Sequence, residues 1–453
     1  MFLEKEGKLI YSYDGETVCI EAWGKDALRV RATKNRSFTG RDWALEAKDA
    51  HAGEVEIFED PSAKGGAFAN MYEGTDTSYG KITNGKLHAV IDSGSVITFY
   101  HEDGRVLLKE HFRRLRDEES MPLNIMGREY SNGVGDNFRI VARFVARKGE
   151  KIFGMGQYQQ HELDLKGCML ELAQRNSQVS VPFYLSSIGY GFLWNNPGVG
   201  QVMFANNGTE WVTESGKEID YLVIAGDTPA EIEENYMTLT GKPPMMPEYG
   251  MGFWQCKLRY WNQEQLLSVA RKYKELGVPL DVIVVDFFHW TKQGEFKFDP
   301  KYWPDVPGMC RELKEMGIQV VVSVWPTVDI YSENFEEMKE KGYLVRTEHG
   351  VPLTMLCGGN EVFFDATNPD ARTYVWEKIK KNYYDQGAKL FWLDVAEPEY
   401  SVYDFKNYRY QLGSVQEVGN IYPKYYLKAF YDGMTAEGDA MPISLIRSAW
   451  AAS

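Results

Sequence analysis

What this sequence lacks narrows its function first. No uninterrupted apolar run approaches the roughly 20 residues a membrane helix needs. The amino terminus, MFLEKEGKLIYSYDGE, offers only Phe2-Leu3 before charges begin, so it holds no signal-peptide core. Cysteine is scarce: Cys19, Cys168, Cys256, Cys310 and Cys357 are widely spaced, odd in number and form no CxxC pair. That usage fits scattered thiols in a reducing compartment rather than a disulfide framework. Positive charge is in deficit, with 50 Lys and Arg against 65 Asp and Glu, a net charge of −15. Such a surface repels phosphate backbones and anionic lipid, which argues against nucleic acid and membrane as partners. A soluble, cytoplasmic protein is expected. There is no HExxH or paired-histidine pattern and no GxSxG elbow. The lone Gly154-Met155-Gly156 lacks the third glycine of a nucleotide loop and sits among β-rich segments. No metal or cofactor is implied.

What is present is a globular composition, 44% hydrophobic, 14% aromatic and 25% charged, on a 453-residue chain long enough for two or three domains. The rings (Trp 12, Tyr 28, Phe 23) suit sugar stacking and large cores alike. Up to about residue 240 the pattern has period two. TVCIEAW, ALRVRAT, LHAVID, SVITFYH and FRIVARFVA are separated by turn signals at Asn84-Gly85, Asp92-Ser93-Gly94 and Glu102-Asp103-Gly104. Many short strands so spaced predict an antiparallel β-sandwich or barrel.

Past the seam Pro243-Pro244-Met245-Met246-Pro247 the grammar changes. LDVIVVDFF, IQVVVSVWP and AKLFWLDVA are near-continuous apolar runs, as parallel strands buried on both faces require. Amphipathic helices lie between them. One is capped by Asn262 with Gln265 and closed by Gly277; another starts at Asn368-Pro369 and stops at Gly387; Gly317 and Gly342 end two more. A βαβα succession without a phosphate fingerprint predicts a (β/α)8 barrel rather than a doubly wound sheet. Strands are expected around Gly252–Gln255, Val282–Asp286, Val320–Trp325, Leu390–Asp394 and Ile443–Arg447. The expected architecture is therefore multidomain: an antiparallel β-sandwich over residues 1–242, then an incomplete TIM barrel over 243–453 with about five of its eight strands.

Barrel chemistry collects at the carboxyl ends of the strands. That rule selects Trp254, Gln255, Lys257 and Arg259 on strand one and Asp286, Phe287, Phe288, His289 and Trp290 on strand two. It adds Trp325 and Asp329 on strand three, Asp394 and Glu397 on strand four, and Arg447 and Trp450 on strand five. Carboxylates, a cation and rings around one mouth describe a sugar pocket, since rings stack on a pyranose face while carboxylates accept from adjacent hydroxyls. Plainer roles stand beside each. An Asp closing a buried strand can cap a helix or pair with a buried Arg; Trp254 and Trp325 can be core; Lys257 and Arg259 can be a solvated rim; His289 can be an ordinary scattered histidine.

The stretches YGMGFWQCKLRYWNQEQLL, LDVIVVDFFHW, FKFDPKYWPD, VVVSVWPTVD, FWLDVAEPEY and ISLIRSAWA resemble the barrel core of glycoside hydrolase family 31. VPFYLSSIGYGFLWNNPG (181–198) and FGMGQ (153–157) resemble its amino-terminal β-sandwich, of galactose-mutarotase type. The resemblance runs from about residue 150 to the end. It implies a retaining α-glycosidase with Asp394 as nucleophile and Asp286, Trp325 and Arg447 in the −1 subsite. Arg447 would bind a sugar hydroxyl and help keep Asp394 charged. Glu397 would have a supporting role, with Trp254, Phe287, Trp290 and Trp450 as further substrate contacts.

Retaining chemistry also needs a second carboxyl about 5–5.5 Å from the first. In the family that residue follows an RSAWAGS-like sequence, and this sequence closes on RSAWAAS. Glu399 and Asp286 do not match its pattern, so no acid/base is assigned. The chain is expected to be a fragment of a longer enzyme, with little turnover of unactivated glycosides. The rings after Asp286 and the form WLDVAEPE are closer to the α-xylosidase side of the family. The expected partner is a small oligosaccharide with terminal α-linked xylose, or glucose, and a homo-oligomer of the full-length enzyme is compatible with it. The rival readings are an inert carbohydrate-binding remnant or another family activity: α-glucosidase, sulfoquinovosidase, α-N-acetylgalactosaminidase or α-glucan lyase.

Overall fold

Two packing regimes divide the computed structural model, which describes residues 1–59, 78–92, 94–111, 113–115, 123–350, 360–398 and 405–453. One compact unit holds residues 1–173 and 180–242; the other holds 243–451 together with the short stretch Gln174–Val179. Ser93, Cys357 and Glu399 lie outside the described residues.

In the first unit the alternating segments form antiparallel sheets. The largest runs through Phe2–Lys5, Lys8–Tyr13, Glu16–Trp23, Ala27–Thr33, Ile219–Ala225, Tyr190–Trp194, Val179–Ser186 and Ile152–Gln157. Two five-stranded sheets accompany it, one built around Leu87–Ile91 and the other around Gly208–Gly216. Rings fill the interior: Trp194 and Trp211 stack at 5.5 Å, and Phe192 stacks on Tyr221 at 5.2 Å. Gly154 lies within a strand, not a nucleotide loop. Its φ is +118°, and a Cβ there would stand 2.8 Å from the Phe183 carbonyl oxygen, so glycine permits a close backbone approach.

The second unit carries five parallel strands in chain order: β1 (Trp254–Cys256), β2 (Val282–Val285), β3 (Gln319–Val324), β4 (Leu390–Leu393) and β5 (Ser444–Ile446). Each is within two residues of its expected bounds, and the carboxyl-terminal Asp, Trp and Arg fall just past β2 to β5. The helices between them are α1 (Gln263–Glu275), α2 (Val306–Glu315), α3 (Phe335–Glu340), α4 (Pro369–Asn382) and α5 (Tyr422–Ala436), with one further short turn at Val415–Val418. Asn262 caps α1 by accepting from the Gln265 N–H at 2.9 Å, while Gln265 accepts in return from the Trp261 N–H at 2.7 Å. Such a cap is worth about 1 kcal/mol. The sequence puts the end of α4 at Gly387, but the helix stops at Asn382. Tyr383 breaks its geometry (φ −124°, ψ −59°) and a 3₁₀ turn runs on to Gly387. The cause is tertiary: the Tyr383 ring is buried, with its hydroxyl 2.9 Å from His289 Nε2. Among the described residues no helix is long and apolar enough to cross a membrane.

Candidate active site

The register of the parallel sheet decides which side chains share a face, because side chains alternate along each strand. Trp254 pairs with Val282, Val284 with Val321, Leu390 with Val321 and Trp392 with both Ser323 and Leu445. Trp254, Val282, Val284, Val321, Leu390 and Trp392 pack together as one apolar cluster. Continuing the same alternation one step past the strands puts Asp286, Trp325, Asp394 and Arg447 on that cluster's face, at the carboxyl ends of the strands.

The two aspartates are built alike. Asp286 is 7% exposed and Asp394 is 6% exposed. Each turns one carboxylate oxygen back to accept from the next residue's backbone: Phe287 N–H at 2.8 Å and Val395 N–H at 2.9 Å. Left-handed backbone follows both, two residues on at Phe288 (φ +61°) and immediately at Val395 (φ +53°). For the β-branched Val395 that conformation is strained, and the strain is held directly beside the buried Asp394 carboxylate. The Asp394 N–H extends the sheet by donating to the Val324 carbonyl at 3.0 Å. Burial pushes the Asp286 carboxyl above the usual carboxylate range. The Phe287 N–H and the Cys256 thiol pull it down, and the charge of Asp394 adds to the rise. The two carboxylates are therefore within electrostatic reach of each other.

Arg447 joins Asp394 to Glu397. Its Nε and Nη2 donate to the two Glu397 oxygens at 2.8 and 2.9 Å, and the same Nε lies 3.2 Å from Asp394 Oδ1. The guanidinium is hydrogen-bonded to Glu397 and forms an ion pair with Asp394. Glu397 is 2% exposed, so it holds the guanidinium rather than lining the mouth, and Arg447 keeps a partly open side chain.

A wall of rings stands beside Asp286. Phe287 stacks on Trp325 at 5.5 Å and meets Phe288 at 4.5 Å, while Trp290 abuts Trp325 edge-on at 6.0 Å. Behind the wall, Trp290, Gln293, Phe296, Trp325 and Tyr383 border a cavity of about 10 Å³, room for one water and no sugar. Among the described residues the buried Trp325 indole N–H has no partner.

Several candidates take other places. Trp254 packs inside the apolar cluster, level with Val282 and below the mouth. The strand-one side chain that reaches the site is Cys256, with Sγ 3.6 Å from Asp286 Oδ2. Trp450 is buried, and its backbone N–H donates to Ser453 Oγ at 2.9 Å. Lys257 is exposed. Arg259 lies over Trp261 at 3.7 Å and Phe288 at 5.3 Å, a cation–π rim. His289 is internal: a carbonyl can only accept, so Nδ1 donates to the Asp286 oxygen at 2.9 Å and Nε2 accepts from Tyr383. Burial holds this imidazole down at about 4. Asp329 faces Glu361 across a short antiparallel pair, and burial with the Asp329 charge lifts the Glu361 carboxyl to about 7. Gln255 accepts from the Tyr273 hydroxyl at 2.7 Å. Among the described residues no group of acidic, His or Cys side chains is arranged to hold a metal.

Sequence reasoning misses Cys256, which would follow from counting back in twos along the sheet face once the β1–β2 register is known.

The model of the glycosyl hydrolases family 31 TIM-barrel domain matches residues 243–453. An uncharacterized family 31 glucosidase, ORF2, of Pseudescherichia vulneris is 45% identical over 100% of this chain and 84% of its own length. Alpha-xylosidase A of Aspergillus niger is 30% identical over 97% of this chain and 62% of its own. The crystal structure of a GH31 alpha-xylosidase from a soil metagenome, complexed with xylose, superposes with a TM-score of 0.91 at 50% identity, over 100% of this chain and 66% of that one. The chain thus spans less than two thirds of the last two. A relative 45% identical along the whole chain settles the family: the chain belongs to glycoside hydrolase family 31.

Proposed function

We propose that this chain carries the nucleophile half of a retaining α-glycosidase that releases terminal α-linked xylose from small oligosaccharides. Asp394 attacks the anomeric carbon, the glycosidic bond breaks, and a covalent glycosyl-enzyme forms that water later hydrolyses. Asp286 accepts from adjacent sugar hydroxyls. Arg447, gripped by Glu397, lays positive charge against Asp394. The ring wall next to Asp286 crowds the position of a C6 hydroxymethyl group, which xylose lacks. We assign the acid/base, which must protonate the leaving oxygen, to no described residue. The observation that supports the reading is the common face of Asp286, Asp394 and Arg447, with Arg447 Nε 3.2 Å from Asp394. Named alpha-xylosidases among the relatives favour xylose. The 45%-identical glucosidase favours α-glucosidase as the second reading, and steric bulk alone discriminates modestly, so some glucosidase activity accompanies the first.

The test uses 5-fluoro-xylosyl fluoride, whose fluoride leaves without acid help. A mass-spectrometric adduct on Asp394 is expected. Faster labelling by the glucosyl reagent selects the second reading, and sugar binding with no adduct supports an inert binding protein instead. Turnover of an unactivated disaccharide by this chain is expected to be slight.

A further inference from the structure

We infer that Gln174 is a positioning residue for the Arg447–Glu397–Asp394 cluster, acting on it from the first half of the sequence through Ser448 and Ala449. Gln174 opens the stretch Gln174–Val179 that packs with the second unit. It is 3% exposed, so its amide has to be satisfied internally. Its Nε2 donates to the Ala449 carbonyl at 2.9 Å, and its Oε1 accepts from the Ser448 hydroxyl at 3.0 Å. Because a carbonyl cannot donate, the Ala449 contact fixes which way the amide faces, and Ser448 is left as the donor.

Those partners are the two residues directly after Arg447. On its other side the segment is tied by the Arg447 N–H, which donates to the Leu393 carbonyl of β4 at 3.2 Å. The backbone carrying the guanidinium is thereby clamped between β4 and Gln174. An exposed glutamine would fix nothing, since water would replace its bonds. This one is buried with Ser448, itself 1% exposed, and breaking the clamp strands two polar partners. Gln174 acts on both carboxylates through Arg447, which donates to Glu397 and holds its charge 3.2 Å from Asp394. The inference rests on Arg447 and Asp394 working together as proposed above.

Two variants of the full chain test it. Gln174→Met keeps the volume and deletes both bonds, and Ser448→Ala deletes one. The first readout is the rate at which phenylglyoxal modifies Arg447, followed by peptide mass spectrometry and independent of any activity. It is expected to rise about tenfold in Q174M and less in S448A. Arg447 reacting at the wild-type rate in both variants overturns the inference. The second readout is labelling by 5-fluoro-xylosyl fluoride. The limiting rate is expected to fall by about 10- to 100-fold, as for a misplacement of about 1 Å, with little change in the half-saturating concentration. Equal losses in both would indicate general loosening and overturn it. Should the wild-type chain fail to label, the glycosidase reading falls and the phenylglyoxal rates still decide Gln174. If Q174M does not fold, S448A decides alone.

Discussion

Each unit contains a cluster of one arginine with buried carboxylates, and the two are finished differently. In the sandwich, Arg29 is wholly buried and grips Asp220 with Nε and Nη2 at 3.0 and 2.7 Å. Its Nη1 donates to Asp42 at 2.8 Å, Nη2 also reaches the Arg41 carbonyl at 2.9 Å, and Asn195 donates to the same Asp220 oxygen at 2.8 Å. In the barrel unit, Arg447 has its side chain 28% exposed, donates to Glu397 and pairs by charge alone with Asp394. A saturated, sealed pair holds a fold in place. A partly open cation beside a carboxylate that it does not hydrogen-bond leaves acceptor capacity, which the donors of a hydroxyl-rich ligand can fill.

The sharpest way to break this contrast is to neutralise the nucleophile. Asp394→Asn is expected to lower labelling by the fluorinated glycosyl fluoride by on the order of 10³-fold or more, with unfolding barely changed. The reciprocal change is Arg29→Met, which strands the Asp220 charge in the sandwich. Removing one partner of a buried pair costs about 3–5 kcal/mol, so denaturant unfolding is expected to show that loss while folded protein still labels at Asp394. A labelling defect in R29M would erase the distinction between the clusters.

Much of the barrel unit was legible because its physics is local. A strand buried on both faces must be a continuous apolar run, and Asp286 and Asp394 stand out as the first charges after VIVV and LFWL. Asn262 and Asn368 announce their helices by their own capping chemistry. What was not legible depends on distance. The Arg447–Glu397 clamp joins residues 50 apart in sequence, and Gln174 reaches across 275 residues to Ala449. The choice of Trp254 over Cys256 turned on a strand register that no single strand encodes. The end of α4 was misplaced because the buried hydroxyl of Tyr383, not a glycine, decides it.

His289 sharpens the contrast by its pH dependence. Its folded value of about 4 lies below the usual 6.5, so the unfolded chain takes up this proton first on acidification. Stability from the neutral imidazole is full above pH 6.5 and drains away as pH falls toward 4, by about 3 kcal/mol in total. A His289→Gln chain is expected to lose that slope in melting temperature against pH, whatever its absolute stability. An unchanged slope would assign the acid sensitivity to other groups.

The smallest effect concerns Cys256, which is exposed yet carries a thiol pushed up to about 12 by partial burial and then by the Asp286 charge. A thiol so placed stays protonated and can donate to Asp286 at any accessible pH, and it is a poor nucleophile because the thiolate is the reactive form. Alkylation by iodoacetamide at pH 7.5 is therefore expected to be at least about tenfold slower than for a free thiol, and Asp286→Asn is expected to speed it. Cys256→Ala removes the donor and is expected to weaken labelling by about 0.5–1.5 kcal/mol, the worth of one hydrogen bond, while Cys256→Ser restores it. If serine and alanine behave alike, the thiol merely fills space beside Asp286, and that carboxylate is held by the Phe287 N–H alone among the described donors.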